Sequence, residues 1–319
     1  MIIRDSKSVR VQATESAAGE PLILKELKGP TPKREFAFYQ AINAGRLPAN
    51  PAKFWRVCQV ADLHTHERSY SLHLENLQQT GYQHFTMRQP QFLHVVDAIA
   101  ELNGWLDASQ EEAYGLDFRT DIAATFMERF WQCVESPLLA QHLTKDDYQT
   151  LVSELAPLVK AADRLRRSWQ ELPFCFCHND LNHGNIFVDA KERSFVFIDW
   201  QTFGFSPVGS DLTQFLMPSY WASHRQYYYQ RDKLLRMEAA MLNRYHQGLQ
   251  QNGQFRGRVS LAQVTFGYQL RAVSQTLLTL LPRYLRSVAD GSTELVTDEQ
   301  LHYKLQTMFG RIQFIQRYI

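Results

Sequence analysis

The hydrophobic pattern of the chain changes its period near residue 78, and this change constrains the fold more than any other feature. Before it, short stretches such as SVRVQA and PLILKEL have the alternation or apolar character of strands, with turn residues between them. After it, segments such as QPQFLHVVDAIAELNGWL and DDYQTLVSELAPLVKAADRLRRSW have the length and spacing of helices. We therefore expect an α+β fold with a small β-rich part, residues 1–78, and a larger, mainly helical part, residues 79–319.

The N-terminal part divides into short predicted elements. Residues 8–27 predict a β-hairpin, and FWRVCQVADL and RSYSLHLENL predict a second strand pair. The segment KREFAFYQAINAG between them predicts a helix that ends near Gly45. Only MIIRDSKS precedes the hairpin, which leaves little room for an additional first strand.

Charge and cysteine content exclude some classes of function. Lys and Arg number 34 against 33 Asp and Glu, and this balance argues against a nucleic-acid or membrane-surface binder. The segment MIIRDSKSVR has no apolar run, so we expect no secretory signal. Four cysteines are too few for a disulfide framework, which favours a reducing compartment and a cytoplasmic protein.

The stretch CFCHNDLNHGNIFVD, residues 175–189, places polar residues between two apolar runs. His178, Asp180 and Asn185 form the pattern H-x-D-x-x-x-x-N, and Asp199 follows Asn185 at the end of SFVFID. NIFVD and SFVFID predict two short strands joined by AKER. Such a hairpin would return Asp199 close to Asn185.

This pattern is typical of kinase catalytic loops, in which an Asp orients the attacking hydroxyl and an Asn and a second Asp hold Mg²⁺. Phosphoryl transfer depends on positioning and charge neutralisation, and Mg²⁺ prefers hard oxygen ligands. The alternative is a polar turn with Asx hydrogen bonds at strand ends. The loop by itself leaves both interpretations open.

Two residues of the N-terminal part favour the kinase interpretation. Lys25 lies mid-strand in LILKEL, where a lysine either extends its ammonium to the surface or contacts ATP phosphates. Glu35 opens the next helix and is placed to pair with Lys25. Each residue alone is weak support, but a strand Lys, a helix Glu, and then Asp, Asn and Asp in this order rarely arise by chance.

The sequence resembles the aminoglycoside phosphotransferase and choline kinase-like superfamily, and it leans toward the ecdysteroid kinase-like, or CHK kinase-like, branch. HNDLNHGNIFVD is similar to the catalytic loop of that superfamily, and FIDWQTFGFSPVGSDLTQFL to its metal-binding segment. SLHLENL resembles its hinge, with Asn76 in place of an Asp, and REFAFYQAI its Glu-bearing helix. The resemblance implies a bilobal protein-kinase-like fold and transfer of the ATP γ-phosphoryl group to a hydroxyl of a small molecule.

The resemblance also implies roles for individual residues. Asp180 would be the catalytic base, and Asn185 and Asp199 would bind magnesium. Lys25 would hold the ATP phosphates, and Glu35 would position Lys25. The remaining implied residues are the adenine-binding backbone at Glu75 and Leu77, and two supports for the catalytic loop, His178 and Asp211. For Asp211, helix N-capping in SDLTQ is an equal and compatible interpretation.

The sequence departs from the family pattern at the loop that covers the phosphates, where Ser6 and Ser8 stand instead of glycines. This departure keeps open a second interpretation, a nucleotide-binding pseudokinase with a scaffold or regulatory role. A metal-dependent hydrolase that uses Asp180 and Asp199 is a weaker alternative because it has no need of Lys25 and Glu35.

The sequence does not identify the small molecule whose hydroxyl would accept the phosphoryl group. Residues 218–246 mix basic and aromatic residues, which suits an apolar or anionic alcohol, whereas residues 105–135 are acidic, which suits a cationic amine. Both segments also fit ordinary solvated helix faces.

Overall fold

The structure, a computed structural model, describes residues 2–5, 9–28, 33–66, 69–86, 92–118, 137–189, 194–222, 231–290 and 298–318. Contacts divide the chain into two compact units. The first unit comprises residues 1–119, 175–206 and 248–256, and the second comprises residues 120–174, 207–247 and 257–319. Segment 175–206, which holds the catalytic-loop motif, therefore packs with N-terminal residues. The first unit thus includes residues from beyond position 78, so the grouping by contacts differs from the predicted division into residues 1–78 and 79–319. That division stays a prediction.

The first unit contains an antiparallel sheet with the strand order β1-β2-β3-β6-β5. Its strands are β1 Ile2–Asp5, β2 Val9–Glu15, β3 Pro21–Lys28, β5 Val60–Thr65 and β6 Ser69–Glu75. The predicted hairpin is confirmed by the pairing of β2 with β3. The expectation of little room for a first strand was wrong, because β1 forms and pairs with β2.

A second, smaller sheet of this unit has the order β4-β10-β9-β7. Its strands are β4 Trp55–Val57, β7 Gln83–His84, β9 Ile186–Asp189 and β10 Ser194–Phe197. The predicted hairpin of NIFVD and SFVFID is confirmed by the antiparallel pairing of β9 with β10. The predicted pairing of FWRVCQVADL with RSYSLHLENL is confirmed by the antiparallel pairing of β5 with β6. The first part of FWRVCQVADL forms a separate strand, β4, which pairs in parallel with β10.

Two helices and an aromatic cluster complete the described core of the first unit. Helix α1 is Lys33–Asn43, and helix α2, Phe92–Asn103, lies in the predicted segment QPQFLHVVDAIAELNGWL. The short segments that follow α2 are a 3₁₀ turn at Ala108–Gln110 and helix α3 at Glu111–Tyr114. Phe38 of α1 is fully buried and stacks on Trp200 with ring centroids 4.5 Å apart. The buried aromatic face of α1 therefore fixes this helix against the segment that follows Asp199.

Strands β8 Phe174–Cys177 and β11 Gly204–Pro207 pair with each other. They flank the polar segment, which also contains two 3₁₀ turns, His183–Asn185 and Trp200–Thr202. The sulfurs of Cys175 and Cys177 lie 3.5 Å apart, as expected for alternate residues on one face of a strand.

The second unit is helical in the residues that the structure describes. Its helices are α4 Pro137–His142, α5 Lys145–Lys160, α6 Ala162–Gln170, α7 Ser210–Ala222, α8 Arg231–Gln251, α9 Leu261–Gln275, α10 Leu281–Ala289 and α11 Asp298–Gln316. A π-helical turn, Thr276–Leu280, precedes Pro282 of α10, whose ring in a regular helix would clash with the carbonyl four residues back. The long helix predicted from residue 146 to 169 breaks at Ala161 (φ −101°, ψ 21°). The helix predicted for DIAATFMERFWQCVE lies outside the described residues.

The core of the second unit includes a buried ionic cluster. Arg311 of α11 pairs with Glu238 of α8, and the Tyr268 hydroxyl donates to the same carboxylate at 3.0 Å.

Gly267 of α9 lies so close to residue 208 that an added Cβ would be 2.2 Å from the Val208 carbonyl oxygen. No helix in the described ranges is both long and apolar enough to cross a membrane.

Candidate active site

Lys25 is the point at which the predicted site residues meet. It lies in the middle of β3, opposite Val11 and Leu72, and is 7% exposed. Its Nζ donates to Glu35 Oε2 at 2.7 Å and to Asp199 Oδ1 at 2.8 Å. The structure therefore contains the expected Lys25–Glu35 pair and adds Asp199, which is 174 residues away in the chain.

Glu35 lies in the first turn of α1 and is fully buried. Burial raises the pKa of its carboxyl, the Lys25 ammonium opposes that increase, and Asp199 adds to it. Burial alone would lower the pKa of Lys25, but the charges of Glu35 and Asp199 outweigh it and raise the pKa. Lys25 is therefore held in its charged form.

The catalytic-loop motif is organised around Asp180. The Asn185 amide donates to the Asp180 backbone oxygen at 2.7 Å and to its Oδ2 at 3.2 Å, while Asn182 donates to Oδ1 at 3.1 Å. Burial raises the pKa of the Asp180 carboxyl, and the negative charge of Asp199 adds to the increase. The donors on the carboxylate oppose it, so this carboxyl is both oriented and made more basic.

His178 is buried behind this loop. Its ring Nδ1 accepts from the Asp180 N–H at 3.3 Å, and its Nε2 therefore donates to the Ile198 oxygen at 2.9 Å. The same ring packs on Trp200 with centroids 4.5 Å apart. These contacts join the loop to the segment around Asp199, which is what a supporting role requires.

Asp199 has an unusual backbone conformation. Its φ of 68° and ψ of 60° place it in the left-handed region, where an ordinary L-residue pays about 1–2 kcal/mol. The Thr202 hydroxyl donates to the His178 oxygen at 3.0 Å, and Trp200 Nε1 donates to the Phe197 oxygen at 3.0 Å. Such contacts hold the turn that directs the Asp199 carboxylate to Lys25.

The predicted hinge was expected to bind adenine through its backbone at Glu75 and Leu77, so the hydrogen bonds of this backbone are relevant. The Glu75 N–H donates to the Gln59 oxygen, and the Leu77 oxygen accepts from the Tyr82 N–H. The Cys58 sulfur lies 4.0 Å from the Glu75 carbonyl oxygen, a weak thiol contact that leaves this oxygen able to accept a second hydrogen bond. The hinge backbone thus has an acceptor at Glu75 and a donor at Leu77, while the Glu75 side chain is held by Arg56.

Asp211 lies in the second unit, at the start of α7, and is fully buried. Its predicted contact with the catalytic loop stays a prediction. Ser6 and Ser8, the expected substitutes for phosphate-loop glycines, lie outside the described residues, as do 119–136 and 223–230 of the two candidate acceptor segments.

Sequence reasoning missed the role of Asn182. Its side-chain oxygen accepts from the Gly184 N–H at 2.9 Å while its amide nitrogen reaches Asp180. The spacing N-x-G after a loop Asp is a local signal for such an Asx turn and would have indicated it. Asn103 at the end of α2 donates to the Phe176 oxygen at 2.7 Å, which ties this helix to β8.

Comparisons with known proteins show which family and which relatives the chain resembles. Residues 5–258 match the phosphotransferase enzyme family. A protein of Arabidopsis thaliana, "Probable choline kinase 1", is 30% identical over 117 residues, which are 36% of this chain and 32% of that protein. The chain therefore matches about a third of the length of this relative.

Solved structures show the fold. The ethanolamine kinase of Plasmodium vivax superposes with a TM-score of 0.53 at 11% identity, covering 100% of this chain and 84% of that one. A macrolide 2'-phosphotransferase type I gives a TM-score of 0.50 at 14% identity, covering 92% and 91% of the two chains. The α+β class expected from the sequence, with a β-rich N-terminal part and a helical C-terminal part, is confirmed. The lean toward the ecdysteroid kinase-like branch stays a prediction.

Proposed function

The chain belongs to the phosphotransferase enzyme family, and on this premise we propose that it transfers the γ-phosphoryl group of ATP, with Mg²⁺, to a hydroxyl of a small molecule. The observation that carries the proposal is the meeting of Lys25, Glu35 and Asp199 within hydrogen-bond distance. A polar turn has no need of a buried lysine shared by two remote carboxylates.

The donor set of the site fits magnesium. Asp199 offers a carboxylate, and the amide nitrogen of Asn185 donates to Asp180, so its amide oxygen is the atom left for a cation. In the part of the chain that the structure describes, no three His, Cys, Asp or Glu side chains form a metal cluster. Mg²⁺ suits such a site because it takes few protein ligands and keeps waters and phosphate oxygens.

The charge of the site also fits a cation. Glu35, Asp180 and Asp199 carry three negative charges against the single positive charge of Lys25. Burial is the main cause of the raised pKa values of Glu35 and Asp180, and the charge of Asp199 adds to both. When bound, Mg²⁺ would supply positive charge that offsets both the carboxylates and the phosphates.

The chain's own residues then have distinct roles. Lys25, positioned by Glu35, would bind the ATP phosphates. Asp180, oriented by Asn182 and Asn185, would accept a hydrogen bond from the acceptor hydroxyl and take its proton, a task that a raised pKa favours. The Glu75 oxygen and the Leu77 N–H would bind the donor and acceptor edge of adenine. His178 and Asp211 would support the loop.

The acceptor in this proposal is a small-molecule alcohol. The related proteins are named as kinases of choline and ethanolamine and as a phosphotransferase of macrolides. All of these substrates are alcohols, so a hydroxyl is the group that they share. Amino alcohols, in line with the acidic segment 105–135, are the first class to screen.

Calorimetric binding of ATP with and without Mg²⁺ tests the proposal. We expect wild type to bind ATP more tightly with Mg²⁺, and Asp199→Ala to lose this difference. Asp180→Ala should keep nucleotide binding and lose phosphoryl transfer. Asp163→Ala is the control, because that side chain is 86% exposed and lies in the second unit.

The outcomes separate the two interpretations of the sequence. Magnesium-dependent binding that only Asp199→Ala removes supports a working kinase. ATP binding without phosphoryl transfer to any alcohol would favour the nucleotide-binding pseudokinase, and absence of binding at millimolar ATP would contradict both interpretations. Wild-type phosphoryl transfer by both Asp180→Ala and Asp199→Ala would refute the assignment of the loop.

A further inference from the structure

The turn at residues 200–203 follows Asp199, which has a left-handed backbone. Apart from glycine and, less often, Asn and Asp, residues seldom adopt this conformation, and neighbouring contacts stabilise it. The direction of the Asp199 carboxylate therefore depends on what anchors the residues after it.

Arg34 provides such an anchor from α1. Its Nη2 donates to the Phe203 oxygen and to the Asp117 oxygen, the latter at 3.0 Å. Its guanidinium also lies over the Phe203 ring, 5.1 Å from the centroid. One side chain thus binds both the backbone and the ring of the residue that ends the turn, and an arginine is suited to this because it donates and stacks at once.

The neighbouring residues of α1 bind the other end of the turn. The Trp200 backbone lies close enough to the Glu35 carboxyl to oppose the rise in its pKa, and Phe38 stacks on the Trp200 ring. Phe38 also packs against Phe203, with centroids 5.0 Å apart. The first turn of α1 therefore contacts the segment at both Trp200 and Phe203, directly after Asp199.

We propose that Arg34 is a positioning residue that links the start of α1 to the turn after Asp199 and so keeps the Asp199 carboxylate in place for a divalent cation. The two hydrogen bonds named above end on backbone carbonyl oxygens, so they fix the position of the backbone at Phe203 and Asp117. This inference rests on the proposed function, because it assigns Arg34 through the role of Asp199.

The test is the magnesium factor, defined as the ratio of the ATP dissociation constants measured calorimetrically without and with Mg²⁺. Arg34→Met keeps most of the aliphatic stem and removes the donors. It should lower the factor about tenfold, the equivalent of one hydrogen bond to a charged group. Arg34→Lys keeps the charge on a shorter side chain without the planar fork, and should give an intermediate factor.

Arg256→Ala is the matched control. Arg256 is exposed, belongs to the first unit, and its Nε also donates to a backbone oxygen, that of Gln250, at 3.2 Å. It should keep the wild-type factor. Thermal unfolding of each variant shows whether it is folded, and if Arg34→Met is not, the reduced factor of a folded Arg34→Lys supports the assignment.

Failures of the two proposals are distinguishable. If wild-type ATP binding does not respond to Mg²⁺, the proposed function fails and the assignment of Arg34 falls with it. If wild type responds and folded Arg34→Met or Arg34→Lys keeps the full factor, only the assignment of Arg34 is refuted. Equal weakening of ATP binding with and without Mg²⁺ would also refute it, because that result indicates general support of the unit.

Discussion

Replacing Lys25 with Met should destabilise the chain much more than replacing Glu35 with Gln. Lys25 is the common partner of two carboxylates, of which Glu35 is fully buried. Its removal leaves a buried negative charge without its cation, a change that costs about 3–5 kcal/mol. Glu35→Gln leaves Lys25 paired with Asp199 at 2.8 Å and preserves an acceptor oxygen, so we expect a cost of about 1–2 kcal/mol.

Urea denaturation at pH 7, without Mg²⁺ and ATP, measures both free energies of unfolding. Lys28→Met is the control, because Lys28 ends the same strand and is exposed. The double variant Lys25→Met/Glu35→Gln should be more stable than Lys25→Met, since it also removes the unpaired carboxylate.

The same reasoning predicts a pH dependence for Lys25→Met. Because burial raises the pKa of Glu35, the folded state binds a proton that the unfolded state releases. The stability of Lys25→Met should therefore increase as the pH falls from 7 toward 4.5, the pKa of this carboxyl in the unfolded chain.

A Glu35→Gln variant that is as unstable as Lys25→Met at pH 7 would refute the argument that Lys25 stabilises two carboxylates.

Three further predictions concern the second unit, each measured as a free energy of unfolding. Gly267→Ala should lower the free energy of unfolding by more than about 2 kcal/mol, because its Cβ would meet the Val208 oxygen at 2.2 Å. Gly310→Ala, at an exposed helical position with open space, should raise it by about 0.5–1 kcal/mol. Equal effects of the two substitutions would contradict the close contact at Gly267. Burial lowers the pKa of Lys304 to about 8 from 10.5, so Lys304→Met should be more stable by about 3 kcal/mol below pH 8, where the folded ammonium is charged. That gain should decline between pH 8 and 10.5, and a gain independent of pH would count against it. Ser260→Ala removes one half of a capping box, the hydroxyl that accepts from the Gln263 N–H, and keeps the backbone N–H of residue 260 that donates to the Gln263 side chain. It should cost about 1 kcal/mol, and an unchanged stability would show that the hydroxyl contributes nothing.

Much of the local structure was predictable because periodicity and turn residues act over a few positions. The hairpin of β2 and β3, the helix that carries Glu35 and the hairpin of β9 and β10 all follow from short stretches of sequence. The pairing partner of β4, Trp55–Val57, does not follow from the short stretch of sequence around it. Its parallel partner, β10, begins at Ser194, and this pairing brings Trp55 to within 5.5 Å of Phe197.

The candidate site divides in the same way. Residue types and their order identified Lys25, Glu35, Asp180, Asn185 and Asp199 as a set, because the chemistry of phosphoryl transfer limits which side chains are useful. That Lys25 is shared between two carboxylates, and that Asn182 orients Asp180, depends on distances between atoms that the sequence order does not contain.

The sequence by itself determined most of the elements, the motif and its order, since each depends on residues close together in the chain. Tertiary structure alone decided the left-handed conformation of Asp199 and the contacts of Arg34 with Phe203 and Asp117. Both exist because the buried rings of Phe38 and Trp200 pack α1 against the segment that follows Asp199. The physical reason is that a strained turn and a bridging side chain are maintained by remote groups, whose positions are set by the packing of the whole unit.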